Sequence, residues 1–319
     1  MRRLKCRLQA AEGPVVFIRR RFIVPAYMTL EGIIFFAPQV YLGGNYCPAW
    51  GVIRFAMIIH EYNITAGIDI GSLSTDAVIL KGDEILSYSV VPTLSSSEAA
   101  ANLAYQAALS DAALEMSRVE RVVATGYGRS STDLADKAVT EITCHAVGAR
   151  HLFAEAMSVI DIGGQDSKVI RLSEDGRVED FAMNDKCAAG TGRFLEVMAR
   201  ALDTELTSLG DLSALAVQDV RISSTCTVFA ESEVVALVAG GTSKEDIIRG
   251  LHRAIAERIY GMVVRLRANP PYVMTGGVAK NSGVVCAIEE RLQTRLLLPK
   301  EPQIVGALGA AIIARKLMP

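Results

Sequence analysis

Two short stretches, AGIDIGS at residues 66–72 and SVIDIGG at residues 158–164, decide the fold of this chain. Each is an apolar run that ends in glycine, which is typical of a buried strand entering a turn. The stretches align at a spacing of 92 residues, with identity at Ile68/Ile160, Asp69/Asp161, Ile70/Ile162 and Gly71/Gly163. The match indicates that one structural unit occurs twice.

The same order of predicted elements follows each stretch. After the first come strands TDAVIL and EILSYSVV around the turn KGDE, a helix over 97–117, the strand RVVATGYG and a helix over 140–153. After the second come strands SKVIRL and RVEDFAM around SEDG, helices at about 191–203, 229–239 and 243–267, the strand PYVMTGG, and helices over 281–294 and 305–317. Two β-β-β-α-β-α halves predict a duplicated α/β fold.

Composition excludes several classes of protein. Of the 319 residues, 50% are hydrophobic and 21% are charged, which excludes a disordered chain and a coiled-coil rod. Six scattered cysteines are too few for a disulfide scaffold. The net charge of −2 supplies no overall basic field, so we expect no nucleic-acid partner.

The first 62 residues differ from the rest and are predicted to be a leader. Residues 1–56 carry eight basic and two acidic side chains, which leaves 25 basic and 33 acidic ones in 57–319. The uncharged run 32–53 contains Pro38 and Pro48, so we expect no membrane span. Met57 begins the stretch MIIHEYNITAGIDIGS, which is typical of a domain that opens with a strand, and it is interpreted as the natural start. The alternative is a genuine leader that is disordered or loosely docked.

The turns after the two matched strands favour nucleotide binding. Gly71 lets the backbone approach a phosphate, and its N–H neighbours are able to cradle the anion. Further candidates around the two turns are Ser72, Ser74, Thr75, Gly163 and Gly164. Gly276 and Gly277 follow the last strand of the second half and offer bare backbone for adenosine.

Two aspartates are the candidate catalytic carboxylates. Asp69 and Asp161 end equivalent strands, so we expect them to face one another across a cleft. Paired carboxylates there are able to hold Mg²⁺ through water and to orient the attacking water. Gln165 is a second candidate for positioning water, although a surface turn explains it nearly as well. Glu231 is a candidate contact to the nucleotide sugar, but acids are also favoured at a helix start.

Four longer motifs carry a resemblance to a known family. They are VIDIGGQDSKVI at 159–170, MNDKCAAGTGRFLEVMA at 183–199, ISSTCTVFAESEV at 222–234 and VMTGGVAKN at 273–281. Together with the duplicated turns they resemble the actin-like ATPase superfamily, which includes sugar and acetate kinases. Within it they are similar to the activator component of 2-hydroxyacyl-CoA dehydratases and to the ATP-binding subunits of benzoyl-CoA reductase. The resemblance covers about 63–317.

The resemblance implies a duplicated RNase H-like fold with two subdomains around a nucleotide cleft. Subdomain I would comprise 63–150 plus 303–319, and subdomain II would comprise 151–302. ATP or ADP with Mg²⁺ is the implied ligand of the cleft.

The resemblance also implies an oxygen-sensitive, cytoplasmic homodimer from an anaerobic metabolism, with one 4Fe–4S cluster at the dimer axis. Cys187 and Cys226 stand in the matched motifs and would be the two ligands from each chain. The implied donor is reduced ferredoxin or flavodoxin. ATP hydrolysis would drive the electron onto a two-subunit iron–sulfur dehydratase, which itself eliminates water from the hydroxyacyl-CoA.

Three alternatives stay open, and two other cysteines have structural interpretations. The chain could be the ATP-binding subunit of an aromatic acyl-CoA reductase, which the cysteine motifs do not distinguish. A small-molecule kinase of the same fold needs no cluster, and a nucleotide-dependent assembly protein needs no redox chemistry. Cys144 is predicted to be a core residue, since Cys144 and His145 are adjacent and make a poor chelate. Cys286 is predicted to pack a helix.

Overall fold

The computed structural model describes residues 41–42, 45–46, 63–185, 189–222 and 227–318. The chain divides into two units, residues 1–60 and residues 61–319. In the first unit, β1 (Tyr41–Leu42) and β2 (Asn45–Tyr46) pair antiparallel. The predicted leader and the predicted start at Met57 otherwise fall outside the described residues, so both stay predictions.

The first half of the larger unit is built on a five-stranded sheet. Its strands are β3 (Ile64–Ile70), β4 (Ser74–Lys81), β5 (Glu84–Pro92), β6 (Arg121–Thr125) and β7 (Lys137–Ala138). They lie in the order β5-β4-β3-β6-β7, and β4 alone runs against the others. The connections contain α1 (Ser97–Asp111), a 3₁₀ turn (Met116–Arg118) and α2 (Glu141–Leu152).

The second half repeats this sheet. Its strands are β8 (Ser158–Ile162), β9 (Ser167–Leu172), β10 (Val178–Asn184), β11 (Tyr272–Thr275) and β12 (Leu296–Leu297), in the order β10-β9-β8-β11-β12. Its helices are α3 (Gly192–Ala201), α4 (Leu209–Ala214), α5 (Thr227–Ala239), α6 (Lys244–Leu266) and α7 (Ser282–Leu292), and α8 (Val305–Lys316) follows them at the end of the chain. Two 3₁₀ turns occupy Leu206–Ser208 and Gly277–Lys280.

The identical strand orders confirm the duplication predicted from the 92-residue spacing. The differences from prediction are local. The helix expected over 97–117 ends at Asp111, because Ala113 takes a left-handed conformation with φ of 52°. The two-residue strands β7 and β12 and the six-residue α4 were not predicted, because such short elements have no hydrophobic period.

Helix α8 packs closely against β3 and α2, and its small residues make this possible. All seven residues of β3 are buried, and the Thr65 hydroxyl donates to the carbonyl of Ala311 in α8 at 3.0 Å. A Cβ at Gly67 would overlap the carbonyl oxygen of Ala307, and one at Gly309 would overlap that of Cys144. The C-terminal helix therefore rests on the first strand of the unit, 246 residues earlier in the chain.

The two cysteines that the structure describes lie in different environments, one buried and one exposed. Cys144 is fully buried with Val123, Ala310 and Ala314, which confirms its prediction as a core residue. Burial raises the pKa of its thiol to about 12. Cys286 lies on the exposed side of α7, so its prediction as a packing residue was wrong. The helical period alone did not show which side of α7 meets the core.

Hydropathy gives no sign of a transmembrane helix where the structure can be described. Within those residues, no helix combines the length and the apolar character that crossing a bilayer requires.

Substitution of one helical glycine tests the close packing of α8. We expect Gly309→Ala to lower the stability of the full chain by about 2 kcal/mol or more, because the new methyl group overlaps the Cys144 backbone. The measurement is the urea denaturation midpoint.

The matched control is Gly261→Ala in α6, where no atom lies within 4 Å of the added Cβ. It is expected to stabilise the chain by up to about 1 kcal/mol, since alanine is the better helix former. Equal effects of the two substitutions would contradict close packing at Gly309.

Candidate functional site

Asp69 and Asp161 end the central strands of the two sheets and are both buried, with 8% and 3% of their surface exposed. Each lies beside the last residue of a parallel neighbour, Asp69 beside Thr125 and Asp161 beside Thr275. His145 of α2 lies between them. Its Nε2 is 3.8 Å from Asp69 Oδ2, and its Nδ1 is 3.6 Å from Asp161 Oδ1. One imidazole ring therefore connects the two candidate catalytic carboxylates.

Asp161 is held in its ionised form by its neighbours. Lys168 Nζ lies 3.1 Å from Asp161 Oδ2, and the Thr275 hydroxyl donates to Oδ1 at 2.8 Å. Burial by itself raises the pKa of this carboxyl, but His145, Lys168 and Thr275 outweigh burial and lower the pKa to about 2. Asp161 therefore stays negatively charged at any physiological pH.

Lys168 is the buried cation of the cleft, with 2% of its surface exposed. Its ammonium contacts three carboxylates: Asp166 at 2.8 Å, Asp161 at 3.1 Å and Glu141 at 3.4 Å. Burial lowers the pKa of a lysine, but these three negative charges raise the pKa of Lys168 well above its ordinary value. Since Glu141 begins α2 and Asp166 follows the second turn, Lys168 joins the two halves.

Asp69 is less well compensated than Asp161. Burial raises its pKa to about 6, with His145 opposing the rise and with Glu141 and Asp161 adding to it. The carboxylate fits because position 306 in α8 is glycine: a Cβ there would overlap Asp69 Oδ2 and lie 3.0 Å from His145 Nε2. Asp69 is therefore a buried acid that titrates near neutral pH.

The glycines of the turns leave bare backbone around these carboxylates. A Cβ at Gly71 would lie 2.7 Å from the carbonyl oxygen of Ser74, and one at Gly163 would lie 2.8 Å from Asp166 Oδ1. Gly276 has a φ of 84°, a conformation that other residues rarely adopt, and Asp161 Oδ1 lies against it. The start of α3 rests on the second turn, since the N–H groups of Gly192 and Arg193 donate to the carbonyls of Gly163 and Gly164.

The predicted hydroxyl donors separate into two groups. Ser72 and Ser74 are partly exposed at the first turn, and Gln303 Nε2 donates to Ser74 Oγ at 3.4 Å. Thr75 is fully buried and hydrogen-bonds Thr93, whose hydroxyl donates to the carbonyl of Gly71. Thr75 therefore supports the first turn from within the protein.

Other predicted residues lie at the surface or outside the described residues. Gln165 and Gly277 are exposed beside the second turn and after β11, and Gly164 is partly exposed. Glu231 is exposed on α5. Cys187 and Cys226 fall outside the described residues. Among the residues that are described, no group of three or more His, Cys, Asp or Glu side chains is arranged to hold a metal ion.

Sequence reasoning missed His145, Lys168 and Thr275. The signal for Lys168 was present, since a lysine in the otherwise apolar SKVIRL strand is a polar residue on a buried face. The adjacency of Cys144 and His145 suggested only that they do not chelate together. In the structure that same adjacency sends Cys144 into the core and His145 into the cleft.

Removal of the buried cation tests the charge cluster. We expect Lys168→Met to destabilise the folded chain by about 3 kcal/mol, because Asp161 is left buried without its ammonium partner. The urea denaturation midpoint measures the effect. Lys137→Met, at an exposed lysine in β7, is the matched control with an expected change within about 0.5 kcal/mol.

A second prediction concerns the pH dependence of stability. The pKa of Asp69 is about 6 in the folded chain and about 4 in an unfolded one, so ionisation of Asp69 removes stability as pH rises through this interval. We compare the free energy of unfolding of Asp69→Asn with that of the wild type, in EDTA and without nucleotide. Between pH 4 and pH 7 we expect this difference to shift in favour of Asp69→Asn by up to about 3 kcal/mol. Asp111→Asn, at an exposed site, serves as control. If the difference in free energy of unfolding between Asp69→Asn and the wild type does not change with pH, the raised pKa of Asp69 is contradicted.

Comparison with known proteins agrees with this geometry. The model of the BadF/BadG/BcrA/BcrD ATPase family matches residues 66–314. The activator of lactoyl-CoA dehydratase from Anaerotignum propionicum is 48% identical over 251 residues, which are 78% of this chain and 96% of the relative. A benzoyl-CoA reductase subunit from Thauera aromatica is 34% identical, over 78% of this chain and 92% of that protein.

Two solved structures share the fold over nearly their whole length. Component A of (R)-2-hydroxyglutaryl-CoA dehydratase from Acidaminococcus fermentans superposes with a TM-score of 0.77 at 45% identity, over 80% of this chain and 98% of that one. The activator of 2-hydroxyisocaproyl-CoA dehydratase from Clostridium difficile with bound ADPNP gives 0.76 at 42% identity, over 79% and 94%. The chain belongs to the BadF/BadG/BcrA/BcrD ATPase family.

Proposed function

We propose that this chain is the ATP-dependent activator of a 2-hydroxyacyl-CoA dehydratase, to which it delivers single low-potential electrons. The observation that carries the proposal is the 48% identity, over 96% of its length, to a protein named as such an activator. The cleft adds the chemistry, since it combines glycine turns with two buried carboxylates at equivalent strand ends.

The nucleotide, ATP or ADP, is placed between two subdomains. Subdomain I comprises 63–150 with 303–319, which the packing of α8 on β3 supports, and subdomain II comprises 151–302. The two turns receive the phosphates and the β11 loop receives the adenosine. The residues assigned to the nucleotide are Gly71, Ser72, Ser74, Gly163, Gly164, Gly276 and Gly277, with Thr75 supporting the first turn and Glu231 directed to the sugar.

The two aspartates divide the work of hydrolysis. Asp161, with a pKa of about 2, stays ionised and suits the water shell of Mg²⁺. Asp69, with a pKa of about 6, lies nearer neutral pH and is the better acceptor for the proton of the attacking water. Gln165, exposed at the second turn, orients that water. Mg²⁺, when bound, neutralises phosphate charge.

The electron-transfer site rests on Cys187 and Cys226, two thiolates from each chain. A 4Fe–4S cluster takes four thiolates and supplies one-electron chemistry when bound. The helices that follow the two cysteines suit such an anionic group. Helix α5 begins at Thr227, directly after Cys226, and α3 begins at Gly192, five residues after Cys187. Helix N-termini present free N–H groups and partial positive charge.

Two copies are needed to complete four thiolates, and α5 supports a homodimer. Its side chains Val228, Phe229, Val235 and Val238 are 67%, 68%, 55% and 43% exposed. Only Ala230 and Val234 of this helix are buried in the chain. A twofold axis beside α5 would cover the apolar side chains and bring the paired cysteines together.

The remaining partners follow from the redox role. The electron comes from reduced ferredoxin or flavodoxin, and its acceptor is a two-subunit iron–sulfur dehydratase. Such a low-potential site belongs in the reducing cytoplasm of an anaerobic organism.

The alternatives have less support than the activator. The named dehydratase activators are 42–48% identical to this chain, whereas the benzoyl-CoA reductase subunit is 34% identical. A kinase or an assembly protein of this fold gives no reason for the motifs around Cys187 and Cys226.

Anaerobic purification with iron and sulfide assays tests the proposal. We expect about four irons per two chains, ATP hydrolysis, and ATP-dependent activation of a dehydratase by the reduced protein. Cys187→Ser should lose the iron and the activation, because half of the thiolates are gone.

Cys286→Ser is the matched control, since Cys286 is exposed on α7, and it should keep its full iron content. An iron-free protein that still hydrolyses ATP after anaerobic reconstitution would overturn the electron-transfer role. Retention of iron by Cys187→Ser would overturn the ligand assignment.

A further inference from the structure

The two halves of the fold differ in charge at one structurally equivalent position. The 92-residue spacing that relates Asp69 to Asp161 also relates Asp76 to Lys168 and Ser74 to Asp166. The strand registers agree, because Asp69 lies opposite Asp76 and Asp161 lies opposite Lys168. An acid therefore occupies, in the first half, the place that a buried cation holds in the second.

In the second half, a lysine ammonium occupies this position. The Lys168 ammonium lies 3.1 Å from Asp161 and 2.8 Å from Asp166, so a positive charge is held between two carboxylates. In the first half the corresponding trio of Asp69, Asp76 and Ser74 contains two acids and no base.

Asp76 is buried without adequate partners. It is 5% exposed, and its Oδ2 accepts one long hydrogen bond, from Ser74 Oγ at 3.4 Å. Within the described chain, nothing donates a hydrogen bond to Asp76 Oδ1. A buried carboxylate oxygen left in this state is costly, so its position calls for a ligand.

Asp76 lies opposite Asp69 in the neighbouring strand. Residues opposite each other in an antiparallel pair project from the same face of the sheet, with Cβ atoms about 5 Å apart. On that face Val78 and Leu80 of the same strand pack with Ile304 and Leu308, at the beginning of α8. Asp69 projects toward α8 as well, since Gly306 makes room for its Oδ2. The two carboxylates therefore lie on the face of the sheet that packs against α8.

The lysine that acts electrostatically on Asp76 is engaged elsewhere. Lys280 acts electrostatically on Asp76, but its ammonium lies 2.9 Å from Glu301 and donates to Gln303 at 2.6 Å. It is also half-exposed, unlike Lys168. Lys280 therefore does not replace the buried partner that Asp161 has.

We propose that Asp69 and Asp76 together bind a divalent metal cation of the Mg²⁺ class, at the place in the first half that the Lys168 ammonium fills in the second. Two carboxylates are a sufficient protein contribution, because Mg²⁺ keeps several of its waters and takes one or two carboxylates. Their summed charge of −2 matches a divalent ion. The site shares Asp69 with the ATP cleft but needs no nucleotide.

The electrostatics at Asp69 and Asp76 agree with a bound cation. Burial and, after it, the negative charge of Asp69 raise the pKa of Asp76 to about 8. Without a cation the pair carries one negative charge and one proton at neutral pH. A cation displaces that proton and satisfies Asp76 Oδ1, so a shared proton is the rival occupant that the experiment has to exclude.

The test is a Mn²⁺ titration of the full-length, cluster-loaded protein without nucleotide, with the free ion counted by its EPR signal. We expect one site per chain that Mg²⁺ displaces by competition. Asp76→Asn should weaken Mn²⁺ binding at least tenfold, whereas Asp111→Asn at an exposed acid should leave it unchanged.

A second variant gives a readout in the opposite direction. Asp76→Lys copies the arrangement of Lys168, so we expect a denaturation midpoint in EDTA at or above that of the wild type, and no further increase with Mg²⁺. The wild-type midpoint should rise with Mg²⁺.

The proposal is overturned if the wild type binds no Mn²⁺ without nucleotide, or if Asp76→Asn binds it as tightly as the wild type. Asp76 then holds a proton instead. Because the titration uses neither ATP nor a dehydratase, its failure would leave the proposed activator function untouched.

Discussion

The constraint on which this structure depends is the burial of carboxylates at the ends of two equivalent strands. Asp69 and Asp161 lie away from water, where an unpaired negative charge is costly. The protein meets this cost with Lys168, with the Thr275 hydroxyl, and with His145 between the two acids. Lys168 also contacts Glu141 at the start of α2, so the same ion pairs that keep the site charged hold the two halves together.

The duplicated halves share their backbone but not their electrostatics. Both sheets have the same strand order, and the same strand positions carry the aspartates. Against the effect of burial, His145 and Lys168 lower the pKa of Asp161 to about 2, whereas burial raises the pKa of Asp69 to about 6. A symmetric fold thereby obtains one permanent charge and one titratable acid, which an ATP cleft is able to use for two different tasks.

Much of the architecture was predictable from the sequence. The strands were evident from apolar runs that end in glycine, and the duplication from four aligned identities followed by one order of elements. Cys144 was correctly predicted as core. The short β7 and β12 were missed, because a two-residue strand is defined by its neighbour in the sheet and not by its own residues. The six-residue α4 was missed because so short a helix has no hydrophobic period. Cys286 was misplaced because tertiary contacts choose the buried side of α7.

The sequence by itself determined the two-fold repeat, the candidate aspartates and glycines, and the family. These properties follow from local sequence patterns and from the spacing of residues along the chain. Only the tertiary structure decided that His145 bridges Asp69 and Asp161, that Lys168 is the buried counter-ion of Asp161, and that Asp76 lies buried without one. The physical reason is that the energy of a charge depends on its burial and on its neighbours in space, and these neighbours come from strands and helices far apart in the chain.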